Sequence, residues 1–205
     1  MEKTMTLTVA ILAGGKSSRM GTDKSFVPLL GKPMIEHILA RVAEIGQEQT
    51  LLVTNRPQDY AHLGLPIFID VIPNKGALGG IYSAIVHSQS DYTLTVACDM
   101  PFLNPDLLHY MIGLAKEGAF DVIVPRVEGY PQGLHAIYSK ACLEPILKRL
   151  NADQLKVIGF YEDVRVRTLD EPEYMPLDPK GLSFQNINTP GELQAAQQLM
   201  TGHSS

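Results

Sequence analysis

An α/β fold, with a mainly parallel central sheet covered by helices on both faces, is predicted by two features of this chain. Through the first two thirds, short apolar and β-branched runs alternate with segments whose apolar residues recur at helical spacing. Two of the runs then stop abruptly: residues 6–12 meet paired glycines, and residues 92–97 meet Cys98-Asp99-Met100-Pro101. Such alternation implies right-handed βαβ crossovers, and sheets of this kind bind ligands beyond the carboxyl ends of their strands.

Residues 9–12 read as the first strand. A helix is expected over 33–45, where Met34, Ile35, Ile38, Leu39, Val42 and Ile45 repeat at helical spacing behind Pro33. Short buried strands follow at 51–53 and 67–69, then a helix at 79–88 and a strand at 92–97. Asn104-Pro105-Asp106 leads into a helix over 107–116, and 122–124 is the next strand. Beyond Pro125 the pattern weakens. It suggests a strand at 134–138, helices at 141–150 and 155–160, a strand at 164–169 and a proline-rich surface loop over 171–179. Thr189-Pro190-Gly191-Glu192 combines an N-cap, a first-turn proline and a capping-box glutamate, opening a last helix through Met200. Residues 201–205 are expected to fray.

With 205 residues, 45% of them hydrophobic, the chain suits one domain with a sizeable core. Its formal charge of −5 argues against nucleic acid or an anionic membrane as the main partner. Cys98 and Cys142 stand far apart, so neither a disulfide framework nor a zinc site is indicated, and a reducing cytoplasm is expected. No apolar run approaches a membrane span, and residues 1–6 lack the apolar stretch of a secretion signal.

The chemistry begins where the first strand ends. Leu12-Ala13-Gly14-Gly15-Lys16-Ser17-Ser18-Arg19 runs on to Lys24, a glycine-lined and cationic loop suited to phosphates. Glycine lets backbone N–H groups approach an anion, and Arg19 and Lys24 add positive charge. It is not a Walker A loop, which would need glycine at Ala10, nor a dinucleotide fingerprint, which would need it at Lys16. Lys16 reads equally as a phosphate contact or an exposed lysine.

Asp99, on a strand tip facing that loop, is placed either to hold Mg²⁺ or to cap the 104–106 region. Asp70 ends the 67–69 strand and reads as a nucleotide contact or a turn residue before Pro73; Thr54-Asn55-Arg56 leaves the neighbouring strand at the same edge. Gly76-Ala77-Leu78-Gly79-Gly80 is a second glycine-rich turn, against which a purine would lie. His135 alternates into a strand and is weighted toward a packed core residue over a catalytic one. Asn186 and Asn188 alternate with apolar neighbours and would share one strand face.

Leu12-Ala13-Gly14-Gly15, then Ser18-Arg19-Met20-Gly21, Asp23-Lys24 and Gly31-Lys32-Pro33, resemble the opening motif of nucleotidyltransferases with a glycosyltransferase-A-like fold. Within that superfamily the chain most resembles the molybdenum cofactor guanylyltransferases. Further matches lie at Gly76–Gly80, with Ala77 where proline is usual, and at Gln132-Gly133-Leu134-His135, with Gly133 in place of proline. Asn186-Ile187-Asn188-Thr189-Pro190 is the last, so the likeness runs from Val9 to about Leu199.

The resemblance implies a single Rossmann-like domain of the nucleotide-diphospho-sugar transferase type over residues 1–205. Its nucleotide-binding part would be about 6–125 and its acceptor-side part about 126–200. It implies Mg²⁺-dependent transfer of GMP from GTP to the phosphate of molybdopterin, with release of pyrophosphate. Arg19, Lys24 and Asp99 would be catalytic, Asp99 holding the metal. Leu12, Ala13, Gly14, Gly15, Lys24, Asp70, Gly79 and Asp99 would bind the nucleotide, and Asn186 and Asn188 would face the acceptor. Cofactor-synthesis proteins and apo-molybdoenzymes are the implied protein partners. The paired Gly14-Gly15 favours the guanylyl over the cytidylyl branch. Two rival readings stand beside this one: a relative using CTP or a sugar-phosphate acceptor, and a non-catalytic carrier of the pterin cofactor.

Overall fold

The computed structural model describes residues 5–14 and 24–201. In chain order the strands are β1 (Leu7–Leu12), β2 (Pro28–Leu29), β3 (Lys32–Pro33), β4 (Gln49–Val53), β5 (Ile67–Phe68), β6 (Tyr92–Ala97), β7 (Val122–Val127), β8 (Tyr130–Pro131), β9 (His135–Ser139) and β10 (Val166–Leu169). The helices are α1 (Met34–Val42), α2 (Pro57–Tyr60), α3 (Gly76–His87), α4 (Pro105–Lys116), α5 (Leu143–Asn151), α6 (Glu171–Tyr174) and α7 (Pro190–Thr201).

One sheet runs in the order β10-β7-β9-β6-β1-β4-β5, with β8 paired to β7; β2 and β3 form a separate small hairpin. β9 alone in the main row runs antiparallel to its neighbours, wedged between β6 and β7. The β1–β4, β1–β6, β4–β5 and β7–β10 pairs are all parallel. Strand order reverses at β1: the chain builds outward through β4 and β5, then returns to the other flank of β1 as β6. The crevice outside the carboxyl ends of β1 and β6 is therefore the switch point, where such sheets hold ligands.

Alternation along β1 explains the two covered faces. Val9 and Ile11 pack with Ile35, Ile38 and Val42 of α1 and Leu107, Leu108 and Met111 of α4. Ala10, between them, packs with Ala84 of α3 on the opposite face, where α3 and α5 share a core of Ile81, Ile85, Ile146 and Leu150. Full burial of each such aliphatic side chain is worth about 1.5–3 kcal/mol. A third cluster seats α7 through Ala196 on Val27, Leu29, Met34 and Ile187.

Four expectations are corrected. Residues 76–80 are no turn before a helix but the first turns of α3, begun at Gly76 with φ +58°. The segment expected as a helix over 155–160 is a 3-10 helix over Val157–Asp163. Residues 171–179 contain α6, which Asp170 and Glu173 close with a reciprocal capping box, and Tyr174 and Asp178 there are buried. Asn186 and Asn188 lie in an irregular segment outside any strand, where Ile187 N–H donates to Asp99 C=O at 2.9 Å.

Candidate active site

Lys24 and Asp99 meet in the switch-point crevice. The backbone delivers them from opposite flanks: Lys24 opens a short 3-10 turn after the first loop, and Asp99 stands two residues beyond β6. Lys24 Nζ is 3.8 Å from Asp99 Oδ2, with side chains only 10% and 20% exposed. The same ammonium donates to Asn188 Oδ1, and Glu192 Oε2 accepts from the backbone N–H groups of Asn188 (2.6 Å) and Thr189 (3.0 Å). Burial raises the Asp99 carboxyl above its ordinary range, and the Lys24 charge only partly opposes that. An ionised carboxylate kept against its solvation preference is one that gains from a cation.

Asp99 does not cap α4. Asn104 does, accepting from Asp106 N–H (2.9 Å) and Leu107 N–H (3.3 Å).

Gly14 follows β1, whose line continues as Ala13 N–H donates to Val53 C=O and Cys98 N–H to Leu12 C=O. A Cβ at Gly14 would meet nothing within 4 Å among the described residues, so packing there does not demand glycine. Gly79 differs: a Cβ there would come 2.7 Å from the Lys75 Cβ, so helix packing explains it. Gly15 and Arg19, like Lys16, lie outside the described residues.

On the far side of β1, Asp70 lies two residues past β5 and accepts from Asn55 Nδ2 at 2.7 Å, while Asn55 Oδ1 accepts from Asp70 N–H at 3.3 Å. This pair ties the ends of β4 and β5 together. From β6 to β5 the row spans three strand spacings, about 14 Å. Asp99, Gly14 and Asp70 thus stand in a line along one edge, and Asn188 joins it at the Asp99 end; Asn186, two residues before, is exposed.

His135 is fully buried, edge-on to the Phe184 ring at 5.0 Å between centroids. Neither ring nitrogen has a hydrogen-bond partner among the described residues. Burial lowers its pKa to about 4, against a smaller opposing pull from Asp178. It is a core residue. Cys142, pushed up to about 12 by burial, is an inert thiol.

Gly133, where the resembled family has proline, has a local cause. A Cβ there would come 2.5 Å from Val157 Cγ1, and Gly133 C=O accepts from Tyr138 OH at 2.8 Å. The 3-10 helix over Val157–Asp163 fills that space. This contact, the Asn55–Asp70 pair and the bond from Asn188 N–H to Glu192 were not foreseen from the sequence. Only the Thr189–Glu192 capping pattern hinted at the last.

A family model described as a MobA-like NTP transferase domain matches residues 9–164. The chain belongs to the MobA-like NTP transferase family. It is 36% identical over 190 residues to the "Probable molybdenum cofactor guanylyltransferase" of Clostridium perfringens strain 13, covering 91% of this chain and 94% of that one. To the "Molybdenum cofactor guanylyltransferase" of Desulfosudis oleivorans it is 34% identical over 192 residues, 93% and 94% of the two chains. The crystal structure of Molybdopterin-guanine dinucleotide biosynthesis protein A from Archaeoglobus fulgidus superposes with a TM-score of 0.83 at 26% identity, covering 95% of this chain and 99% of that one. A MobA-like NTP transferase is a nucleotidyltransferase, and a crevice pairing a lysine with a strand-tip carboxylate is chemically apt for one.

Proposed function

We propose that this chain transfers GMP from GTP to the terminal phosphate of molybdopterin, forming the guanine dinucleotide cofactor and releasing pyrophosphate. The observation that carries the proposal is the 3.8 Å approach of Lys24 to Asp99 at the switch point, in a chain whose relatives bear the guanylyltransferase name.

Asp99 suits Mg²⁺. It is one partly buried carboxylate, and among the described residues no group of three or more His, Cys, Asp or Glu side chains forms an all-protein cage. That ion takes most of its shell from water and substrate phosphates. When bound it would neutralise charge on the phosphates. Lys24, with Arg19, would hold the triphosphate and stabilise charge building on the departing pyrophosphate more than charge in the ground state. Leu12, Ala13, Gly14 and Gly15 would present backbone to the phosphates. Asp70, oriented by Asn55, would read the nucleoside beside Gly79 in the first turn of α3. Asn186 and Asn188 would face the acceptor. A phosphate nucleophile is already ionised near neutral pH, so alignment and charge stabilisation supply the catalysis, with no covalent intermediate.

Residues 6–125 would form the nucleotide half and 126–200 the acceptor half of one domain. Cytoplasmic residence is part of the same reading: neither Cys98 nor Cys142 is joined in a disulfide among the described residues, and no helix among them is long and apolar enough to cross a membrane. Cofactor-synthesis proteins and apo-molybdoenzymes would be its protein partners.

The test compares thermal shifts with GTP, CTP, UTP and ATP in Mg²⁺, followed by pyrophosphate release with molybdopterin. GTP should give the largest shift and molybdopterin should trigger release. A larger shift with CTP overturns the guanylyl assignment. GTP binding without release, equal in Asp99→Asn, favours the carrier.

A further inference from the structure

The hairpin of β7 and β8 carries a side chain that the site described so far does not use. Among the described residues Tyr130 is the most exposed large apolar side chain, at 75%. The other exposed aromatic, Tyr110, has its hydroxyl on Glu173.

The backbone beneath Tyr130 is held firmly. Glu128 and Gly129 take φ of +49° and +83°, the left-handed pair of a tight two-residue hairpin. Arg126 forks onto Asp170 with bonds of 2.7 and 2.8 Å. Gln132 N–H donates to Pro125 C=O at 2.8 Å, and Gln132 Nε2 to Tyr130 C=O at 3.0 Å. At the hairpin's root, Gly133 is wedged between Val157 and the Tyr138 hydroxyl. A braced backbone that leaves an aromatic ring in water is pre-organised for a flat ligand.

Register places the backbone that bears that ring on the same sheet edge as the crevice. Ile123 of β7 is level with Ile137 of β9, and Ile137 with Leu94 of β6. Four residues on, the Val127–Tyr130 rung is level with Cys98, next to Asp99. The lateral offset from β6 to β7 is two strand spacings, about 10 Å. The Tyr130 backbone thus stands near the level of Asp99 along the strands, on the flank of β6 away from Asp70.

We propose that Tyr130 is a stacking platform for the heteroaromatic ring of the acceptor, the pterin, and so a specificity determinant for it. This rests on the acceptor assigned above. A nucleotide lying from Asp99 toward Asp70 leaves the opposite flank to the second substrate, and a π-face there selects planar rings.

The experiment measures pyrophosphate release with molybdopterin varied at saturating GTP, in the parent, Tyr130→Phe, Tyr130→Leu and Tyr130→Ala. The GTP-induced thermal shift is measured in each. By the usual weight of ring stacking, Tyr130→Ala should raise KM for molybdopterin about 10-fold or more, with Tyr130→Leu close behind. Tyr130→Phe should stay within about twofold of the parent, and the GTP shift should not change in any variant. An unchanged KM in Tyr130→Ala, or a loss shared equally with GTP binding, overturns the proposal. Absence of any transfer to molybdopterin by the parent instead sinks the functional reading, and the pterin assignment with it.

Discussion

Lys24 reaches Asn188 and Asp99 with one ammonium group, and so ties the segment before α7 to the tip of β6. Three stretches distant in the chain converge on that nitrogen, which makes it the structural centre of the crevice.

Lys24→Met should therefore cost both chemistry and stability. Loss of one cation that stabilises transition-state charge is worth about 3 kcal/mol, so kcat should fall 10²-fold or more. Asp99 would also be left buried without its counter-charge, and Lys24→Met should melt below the parent. Adding Asp99→Asn should recover part of that loss without restoring activity. A double variant no more stable than Lys24→Met would show that the two groups do not interact.

Asp99→Asn alone should separate function from stability. Because the fold raises the Asp99 carboxyl, holding it ionised at neutral pH works against the folded state, and the amide relieves that. The variant should melt at or slightly above the parent temperature in the absence of metal. It should lose nearly all transfer activity and the additional thermal shift that Mg²⁺ gives in the presence of GTP. A clear drop in its metal-free melting point would contradict the burial argument.

His135 makes the protein sensitive to acid. Its ordinary pKa of 6.5 is lowered to about 4 in the fold. Above pH 6.5 the ring is neutral folded or unfolded, and stability is complete. Between 6.5 and 4 the unfolded chain takes up a proton that the fold refuses, so stability falls as pH drops through that window. The loss amounts to about 3 kcal/mol. Urea melts from pH 7.5 to 4 should show it, and His135→Leu should flatten the curve across that range. Since the ring is neutral at pH 7.5 and neither ring nitrogen has a close hydrogen-bond partner among the described residues, His135→Leu should cost little there and retain activity.

Gly133→Ala should destabilise by about 1–3 kcal/mol, as overpacking does, because its Cβ would lie 2.5 Å from Val157 Cγ1. Trimming the neighbour should compensate: Gly133→Ala with Val157→Ala should be less destabilised than the two single costs combined. Strict additivity in thermal melts would mean that the two residues do not share that space.

The strands that carry the crevice were legible because their signals are local. The runs in β1, β4 and β6 are apolar and bounded, and the Thr189–Glu192 cap is a four-residue pattern that formed as written. After β7 the sequence misled where short-range pattern and long-range packing diverge. Residues 155–160 have helical spacing, yet Val157 must lie against Gly133 and the segment tightens to 3-10 geometry. Residues 171–179 look like solvent-facing loop by their prolines, yet Asp178 turns inward to accept from Leu182 and Ser183 N–H groups. That β9 runs antiparallel among parallel neighbours leaves no mark on its own residues.

By itself the sequence determined the fold class and the strand-tip position of Asp99, since composition and spacing over a few residues suffice for those. Only the tertiary structure decided which side chains meet. The approach of Lys24 to Asp99, the burial that silences His135, and the level at which Tyr130 stands all depend on strand order and register. Those are set by packing between residues tens of positions apart, which no local pattern encodes.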